Sequence, residues 1–276
     1  MATTDISTEN YSFLQQHVYR ESGIVLDNSK QYLLEARLSP IARREGVGNV
    51  DGLCNLMRAV SREDLRREVV EAMTTNETLF FRDLSPFDAL RSHILPALKK
   101  RREATRTISV WSAAASSGQE AYSIVMYLLE AGFGEWNIRV LGTDLSEQVL
   151  ARARQGRYMQ VEVGRGLPAP LLVKYFDRVG LEWQIKEEVR KLVRFEQFDL
   201  RRSMTGKGPF DLIFCRNVLI YFDVETKDRI MSSIYRVLAP DGYLTLGAAE
   251  SMLQMNTQFE RYPVGKAIYY TKPGVR

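Results

Sequence analysis

Apolar residues in the first quarter of the chain recur at helical spacing. Tyr11, Leu14, Val18 and Tyr19 form one stripe that stops at Gly23, and Leu33, Leu34, Leu38 and Ile41 form a second. Pro40 falls inside the second stripe, where its missing N–H and its ring are expected to kink or split the helix. Further helices are predicted over 50–60 and 62–73, so residues 1–72 read as an all-helical domain. From residue 107 the period changes. β-rich runs at 107–111, 138–143, 210–215 and 242–247 alternate with helical patterns that end near 131, 155 and 238. This alternation predicts an α/β domain over 107–276, built of βαβ units around a mostly parallel sheet that is open to a ligand at the C-terminal ends of its strands. The run 267–271 would close the sheet, and 73–106 reads as a linker and a first helix. Residues 156–196 break the alternation. Short strands at 175–179, 181–186 and 191–195, with a tight turn at Gly180, predict a small antiparallel insertion, placed at 158–196.

A length of 276 residues gives a prior of about two domains. Hydrophobic residues make up 45% and charged residues 26%, which excludes disordered, collagen-like and low-complexity classes. Two cysteines, Cys54 and Cys215, cannot build a disulfide framework, so a reducing cytoplasm is expected. The opening MATTDISTEN has neither a basic nor an apolar stretch, so no secretory leader is expected there. No apolar run approaches the roughly 20 residues of a membrane span, so no membrane insertion is expected. A net charge of +4 suits an acidic partner and is too weak to argue for nucleic acid.

Four segments carry candidate chemistry. In VWSAAASSGQEAY (110–122) a strand runs through small residues into a helix, which lets a ligand approach the backbone and the free N–H groups of the helix start. Glu120 there is either the far end of an S-x-x-E capping box from Ser117 or a ligand contact. In VLGTDL (140–145), Asp144 ends the second strand, the place from which a carboxylate takes two ribose hydroxyls; it could equally cap the next helix. In FDLIFCRNVLIYFD (210–223), Arg216 and Asn217 follow a buried strand, with a turn or cap as the alternative for Asn217. MTTNETLFFR (73–82) is either a plain linker or a lid.

Together with LAPDGYLTLGAAES, these segments and GTDLSEQVLARARQGRY occur in the order found in the CheR-type chemotaxis receptor methyltransferases, which the chain resembles over nearly its whole length. The resemblance implies a Rossmann-like S-adenosylmethionine-dependent methyltransferase sheet of seven strands, an N-terminal helical domain for substrate recognition and a three-stranded β-subdomain. It implies methyl transfer from S-adenosylmethionine to glutamates of chemoreceptors, leaving S-adenosylhomocysteine. It also implies cofactor contacts at Asn76, Thr78, Arg82, Glu120, Asp144, Asp199, Leu200, Asn217 and Val218. Arg82 would pair with the methionyl carboxylate and Glu120 would face a positive group. Asp144 would take the ribose hydroxyls, and Asp199 with Leu200 the adenine edge and face. Some relatives have Asn at the position of Asp199.

A substrate carboxylate, with an ordinary pKa near about 4.3, is ionised at neutral pH, so no general base is needed. His17 and His93 lie outside every motif. Tyr221, and secondly Arg216, are the candidate catalytic groups that would position the carboxylate. Nothing has metal-ligand spacing. The implied partner is the long, Glu-rich methylation helix of a receptor, and a basic face on the helical domain would attract it. Lys30, Arg37 and Arg44 are seven apart with Arg43 beside them, which gives Arg37, Arg43 and Arg44 as substrate-binding candidates. A methyltransferase of nucleic acid or small molecules is the alternative, but no basic stripe with interleaved aromatics is present. A non-catalytic cofactor-binding regulator is a third class. The short RVGLEW link in the insertion implies independence from a receptor C-terminal pentapeptide. A monomer is expected.

Overall fold

The stripes of the first quarter become four helices in a computed structural model that describes residues 6–27, 31–253 and 255–275. They are α1 (Thr8–Ser22), α2 (Gln31–Arg44), α3 (Val50–Ala59) and α4 (Glu63–Met73). Ser7 caps α1 by accepting from the N–H of Asn10, and Gly23, at a φ of 76°, ends it in the left-handed conformation. Leu14, Val18, Leu34, Leu38, Leu53 and Leu65 meet in one apolar core. Of the two outcomes expected at Pro40, splitting does not occur: α2 runs through it. Leu34, Leu38, Ile41 and Ala42 lie on both sides of the proline and are buried in that core. Each large side chain there contributes about 1.5–3 kcal/mol, so together they outweigh the roughly 3 kcal/mol cost of an interior proline.

The chain divides into two compact units. Tyr221–Asp223 belong with the helical unit; the rest of the chain from Asn76 onward forms the second. The second unit starts with α5 (Leu84–Ala89), a π-helical turn (Leu90–Ile94) and α6 (Leu95–Arg102), followed by β1 (Thr107–Ala113), α7 (Gln119–Glu130), β2 (Asn137–Asp144) and α8 (Glu147–Gln155). Next come β3 (Arg157–Met159), α9 (Gln160–Val163), α10 (Ala169–Tyr175), β4 (Phe176–Val179), β5 (Glu182–Ile185), α11 (Glu187–Arg190) and β6 (Val193–Gln197). The unit ends with β7 (Phe210–Cys215), α12 (Val224–Val237), β8 (Leu238–Leu246), β9 (Glu260–Val264) and β10 (Ala267–Thr271). The main sheet has seven strands in the order β6-β2-β1-β7-β8-β10-β9. The first five are parallel, while β10 runs antiparallel to both β8 and β9. The order reverses at β1, which has β2 on one side and β7 on the other. Such a switch point opens a crevice at the strands' C-terminal ends.

The insertion is corrected in one respect. Its sheet is β3-β5-β4, and its third strand comes from GRYMQ, not from 191–195. The latter run becomes β6 and pairs in parallel with β2 in the main sheet. The cause is Phe195, whose ring lies over Gly142 of β2 so closely that a Cβ there would come within 2.6 Å of it. Among the described residues no helix is long and apolar enough to cross a membrane. Cys54 and Cys215 are buried free thiols.

Candidate functional site

Six non-glycine residues of the described chain have positive φ; Phe81, Ala114, Ser116 and Asn217 fall in the motif-bearing segments, and Asp83 directly follows one. Such backbone costs energy and persists where surrounding contacts enforce it, typically at functional sites. The segment 76–83 is neither a plain linker nor a loose lid. Phe80 and Phe81 are fully buried in the core of the second unit. The Phe81 N–H donates to Ser123 Oγ (3.0 Å), and Ser116 Oγ donates to the Asn76 carbonyl (2.7 Å).

Arg216 closes this attachment. Its side chain, only 1% exposed, leaves the end of β7 and donates Nη1 to Glu120 Oε2 (3.0 Å). Nη2 donates to the Arg82 carbonyl (2.8 Å) and to Asp83 Oδ2 (2.9 Å). Nε is buried and has no hydrogen-bond partner. Glu120 Oε1 accepts from Ser112 Oγ (2.8 Å). Burial pushes the Glu120 carboxyl above the ordinary range, and Arg216 opposes that push. The capping-box alternative for Glu120 is set aside: Gly118 is the N-cap of α7, and no side chain caps there. Each Glu120 oxygen retains a lone pair for a positively charged ligand group.

Asp144 does not cap α8 either; Ser146 does, its Oγ accepting from the Val149 N–H. The Asp144 carboxylate accepts the Ser116 N–H at Oδ2 (2.9 Å) and the Ser146 N–H at Oδ1 (3.0 Å). One acceptor position per oxygen stays open, the number a vicinal diol requires. Burial raises its carboxyl above the ordinary range, with the Ser146, Ser116 and Leu145 N–H groups acting against it. The small residues 113–118 are held beside it: the Ala115 N–H donates to the Thr143 carbonyl, and Tyr158 of the insertion donates its hydroxyl to the Ser117 carbonyl (2.8 Å).

Arg82 is half-buried and donates Nη1 to the Glu77 carbonyl (2.9 Å). The rest of its guanidinium makes no other hydrogen bond or ion pair among the described residues and suits a carboxylate fork. Thr78 and Asn76 are half-buried on the same segment. Leu200 is buried. The Asp199 carboxylate accepts the backbone N–H of Arg201 (2.9 Å) and that residue's Nε and Nη2. Those three donors leave part of its acceptor capacity for an adenine amine. Asn217, at a φ of 57°, and Val218 are half-buried just beyond β7.

The remaining candidates lie in the helical unit. Tyr221 packs its ring on that unit's core and accepts the Val25 N–H at its carbonyl (2.9 Å). Arg37 caps the end of α4, donating to the carbonyls of Met73 and Thr74 and to Thr75 Oγ1. Arg44 is paired with Glu68 and Glu45. Both guanidiniums are thus engaged within the unit, whereas Arg43 is exposed and, among the described residues, makes no side-chain hydrogen bond or ion pair. Lys30 lies outside the described residues. His17 is buried, stacks on Phe13 and faces the Arg66 carbonyl; His93 is exposed and bonds Ser92.

Sequence reasoning missed Ser112, Ser116, Asp83 and Glu250. Ser112 and Ser116 read as spacers among small residues, and Asp83 as the end of a polar linker. Glu250 sits four residues past β8, another strand end at the open side of the sheet.

A switch-point crevice with a second-strand carboxylate open to a diol and a free arginine fork suits S-adenosylmethionine. Residues 76–268 match the SAM-binding domain of the CheR methyltransferases, and residues 9–74 match their all-alpha domain. The chain is 38% identical over 273 residues to a chemotaxis protein methyltransferase of Pseudomonas putida, covering 96% of this chain and 99% of that protein. It is 39% identical over 273 residues to one of Pseudomonas aeruginosa, with the same coverage. With one of Vibrio parahaemolyticus it shares 38% over 275 residues, covering 98% of this chain and 99% of that protein. The second unit is thus that of an S-adenosylmethionine-dependent methyltransferase. The chain belongs to the CheR methyltransferase family.

The buried Arg216–Glu120 pair has a measurable consequence. Arg216→Met leaves Glu120 without its counter-charge and is expected to destabilise the protein by about 3 kcal/mol in urea titration at neutral pH. Adding Glu120→Gln should recover part of that loss. Costs that simply add in the double variant would show that the two groups are not coupled.

Proposed function

We propose that the protein transfers a methyl group from S-adenosylmethionine to glutamate side chains of chemoreceptors, forming glutamyl methyl esters in sensory adaptation. The observation that carries this is the site at the β1 switch point: Asp144 keeps two open acceptor positions, and the segment supplying Arg82 is bonded to the same loop through Asn76 and Ser116. The relatives' names, chemotaxis protein methyltransferase, support the receptor as substrate.

In this reading Asp144 holds the ribose hydroxyls, Arg82 the methionyl carboxylate and Glu120 the methionyl ammonium. Leu200 lies against the adenine, while Asn76, Thr78, Asn217 and Val218 complete the walls. S-adenosylmethionine supplies an electrophilic methyl group on a sulfonium. The substrate glutamate arrives ionised, so the chain needs no general base, and neither histidine is placed to act as one. What the chain contributes is alignment, which is worth about 7–11 kcal/mol of barrier when the fit is good. The substrate carboxylate loses its charge on esterification, so strong stabilisation of that charge would slow the reaction. A weak hydroxyl donor such as that of Tyr221 suits that requirement, with Arg216 the second candidate. The protein acts in the cytoplasm as a monomer, on protein and not on nucleic acid.

The test is incubation with methyl-labelled S-adenosylmethionine and membranes carrying candidate receptors. Base-labile label in the receptor band is the expected result; label in RNA or in small molecules would contradict it. The helical unit is the receptor-binding domain, and Arg43 is a basic group in it that, among the described residues, makes no side-chain hydrogen bond or ion pair. Arg43→Glu should therefore lower the methylation rate several-fold, reduce its dependence on salt and leave S-adenosylhomocysteine affinity unchanged. Arg37→Glu is a poorer probe, because it also removes the cap of α4. An unchanged rate with unchanged salt dependence in Arg43→Glu would place the receptor surface elsewhere.

The protein also works without a receptor C-terminal pentapeptide. The β4–β5 hairpin turns on Gly180 and Leu181 alone, with Val179 paired to Glu182, so no longer loop stands beside the edge strand. Within the small sheet β4 pairs only with β5, so its outer edge could still take an added strand. Titration with peptides ending in an aromatic residue distinguishes the two cases. No binding up to millimolar concentration is expected, and micromolar binding would contradict the reading.

A further inference from the structure

Glu250 is given no role above, yet its carboxylate gathers backbone N–H groups from two separate turns. Oε2 accepts the Asn217 N–H (2.7 Å) and the Gly247 N–H (2.7 Å). Oε1 accepts the Val218 N–H (2.9 Å) and the Leu219 N–H (2.7 Å), with the Ile220 N–H at 3.4 Å. Successive N–H groups that converge on one point would repel each other without an anion at their focus. Here that anion is a side chain of the same protein, and it spans the ends of β7 and β8. The backbone it holds is the one that needs holding, because Asn217 has the strained φ of 57°.

Gly247 is matched to this arrangement. A Cβ at that position would come within 2.7 Å of both Asn217 Nδ2 and Glu250 Oε2, and within 2.8 Å of the Asn217 N. Only glycine lets the carboxylate and the Asn217 turn close on each other.

We propose that Glu250 is a positioning residue for methyl transfer. It touches no ligand, but it sets the backbone of Asn217 and Val218, and hence the wall they give the cofactor site. This rests on the assignment of Asn217 and Val218 to that site. Charge and geometry are both required. A glutamine fills the same space, but whichever way its amide is turned, its NH2 faces one pair of the N–H donors.

The test uses the full chain, with S-adenosylhomocysteine as the titrant and amide hydrogen exchange as a second readout. In Glu250→Gln, exchange at 217–220 should rise, and S-adenosylhomocysteine affinity should fall at least tenfold at temperatures where the variant is fully folded. Glu250→Asp, which keeps a shorter carboxylate, should fall between Gln and wild type. Gly247→Ala, which keeps the carboxylate but displaces it, should resemble Glu250→Gln and serves if that variant fails to fold. A merely structural role would lower the melting temperature and leave the affinity of the folded protein at the wild-type value. That result, with Asp144→Ala still losing affinity, overturns the positioning role and leaves the site assignment standing. A wild-type protein that does not bind S-adenosylhomocysteine overturns both.

Discussion

The guanidinium of Arg216 is the contact on which the candidate site depends. A cation this deeply buried is tolerated only when it is paired and hydrogen-bonded, since its desolvation costs several kcal/mol. Arg216 meets that condition with three groups from two places: Glu120 at the start of α7, and Asp83 with the carbonyl of Arg82 on the segment before α5. Satisfying one buried charge therefore ties the end of β7, the first turn of α7 and the segment before α5 into a single constellation. The positive φ values at Phe81 and Asp83 on that segment, and at Asn217 next to Arg216, are the strain that this network sustains.

The same logic recurs at the other strand ends. Asp144 is fixed by two serine N–H groups while each oxygen keeps room for another donor. Glu250 is fixed by N–H groups from the turns after β7 and β8. These two carboxylates at the open side of one sheet are each held by N–H donors from different turns, which ties the loops together. A reaction that needs no proton removed from its nucleophile asks for little else from the protein, because placement is the main service it can supply.

Much of this was legible in the sequence, where local pattern and tertiary context agree. The βαβ alternation, the helical first quarter and the positions of Asp144 and Glu120 follow from periodicity and strand-end chemistry. What escaped depended on partners distant in sequence. Residues 191–195 have the pattern of a short hairpin strand, and only the fit of Phe195 over Gly142 draws them into the main sheet. Pro40 looks like a break until both sides of its helix are seen buried in one core. Arg37 and Arg44 look like a basic face until their guanidiniums are found on the end of α4 and on Glu68. Asp199 is chemically able to meet an adenine, and its engagement by Arg201, two residues on, shows only in the structure. Glu250 carries no spacing signal at all, because its donors are backbone N–H groups about thirty residues away.

The central claim is that the cofactor sits at the β1 switch point between Asp144 and Arg82, and calorimetric titration with S-adenosylhomocysteine tests it most directly. Asp144→Ala and Arg82→Ala should each stay folded and bind about 10- to 150-fold more weakly than wild type, the loss expected for a charged hydrogen bond of roughly 1.5–3 kcal/mol. Wild-type affinity in both folded variants would contradict the account and place the cofactor elsewhere.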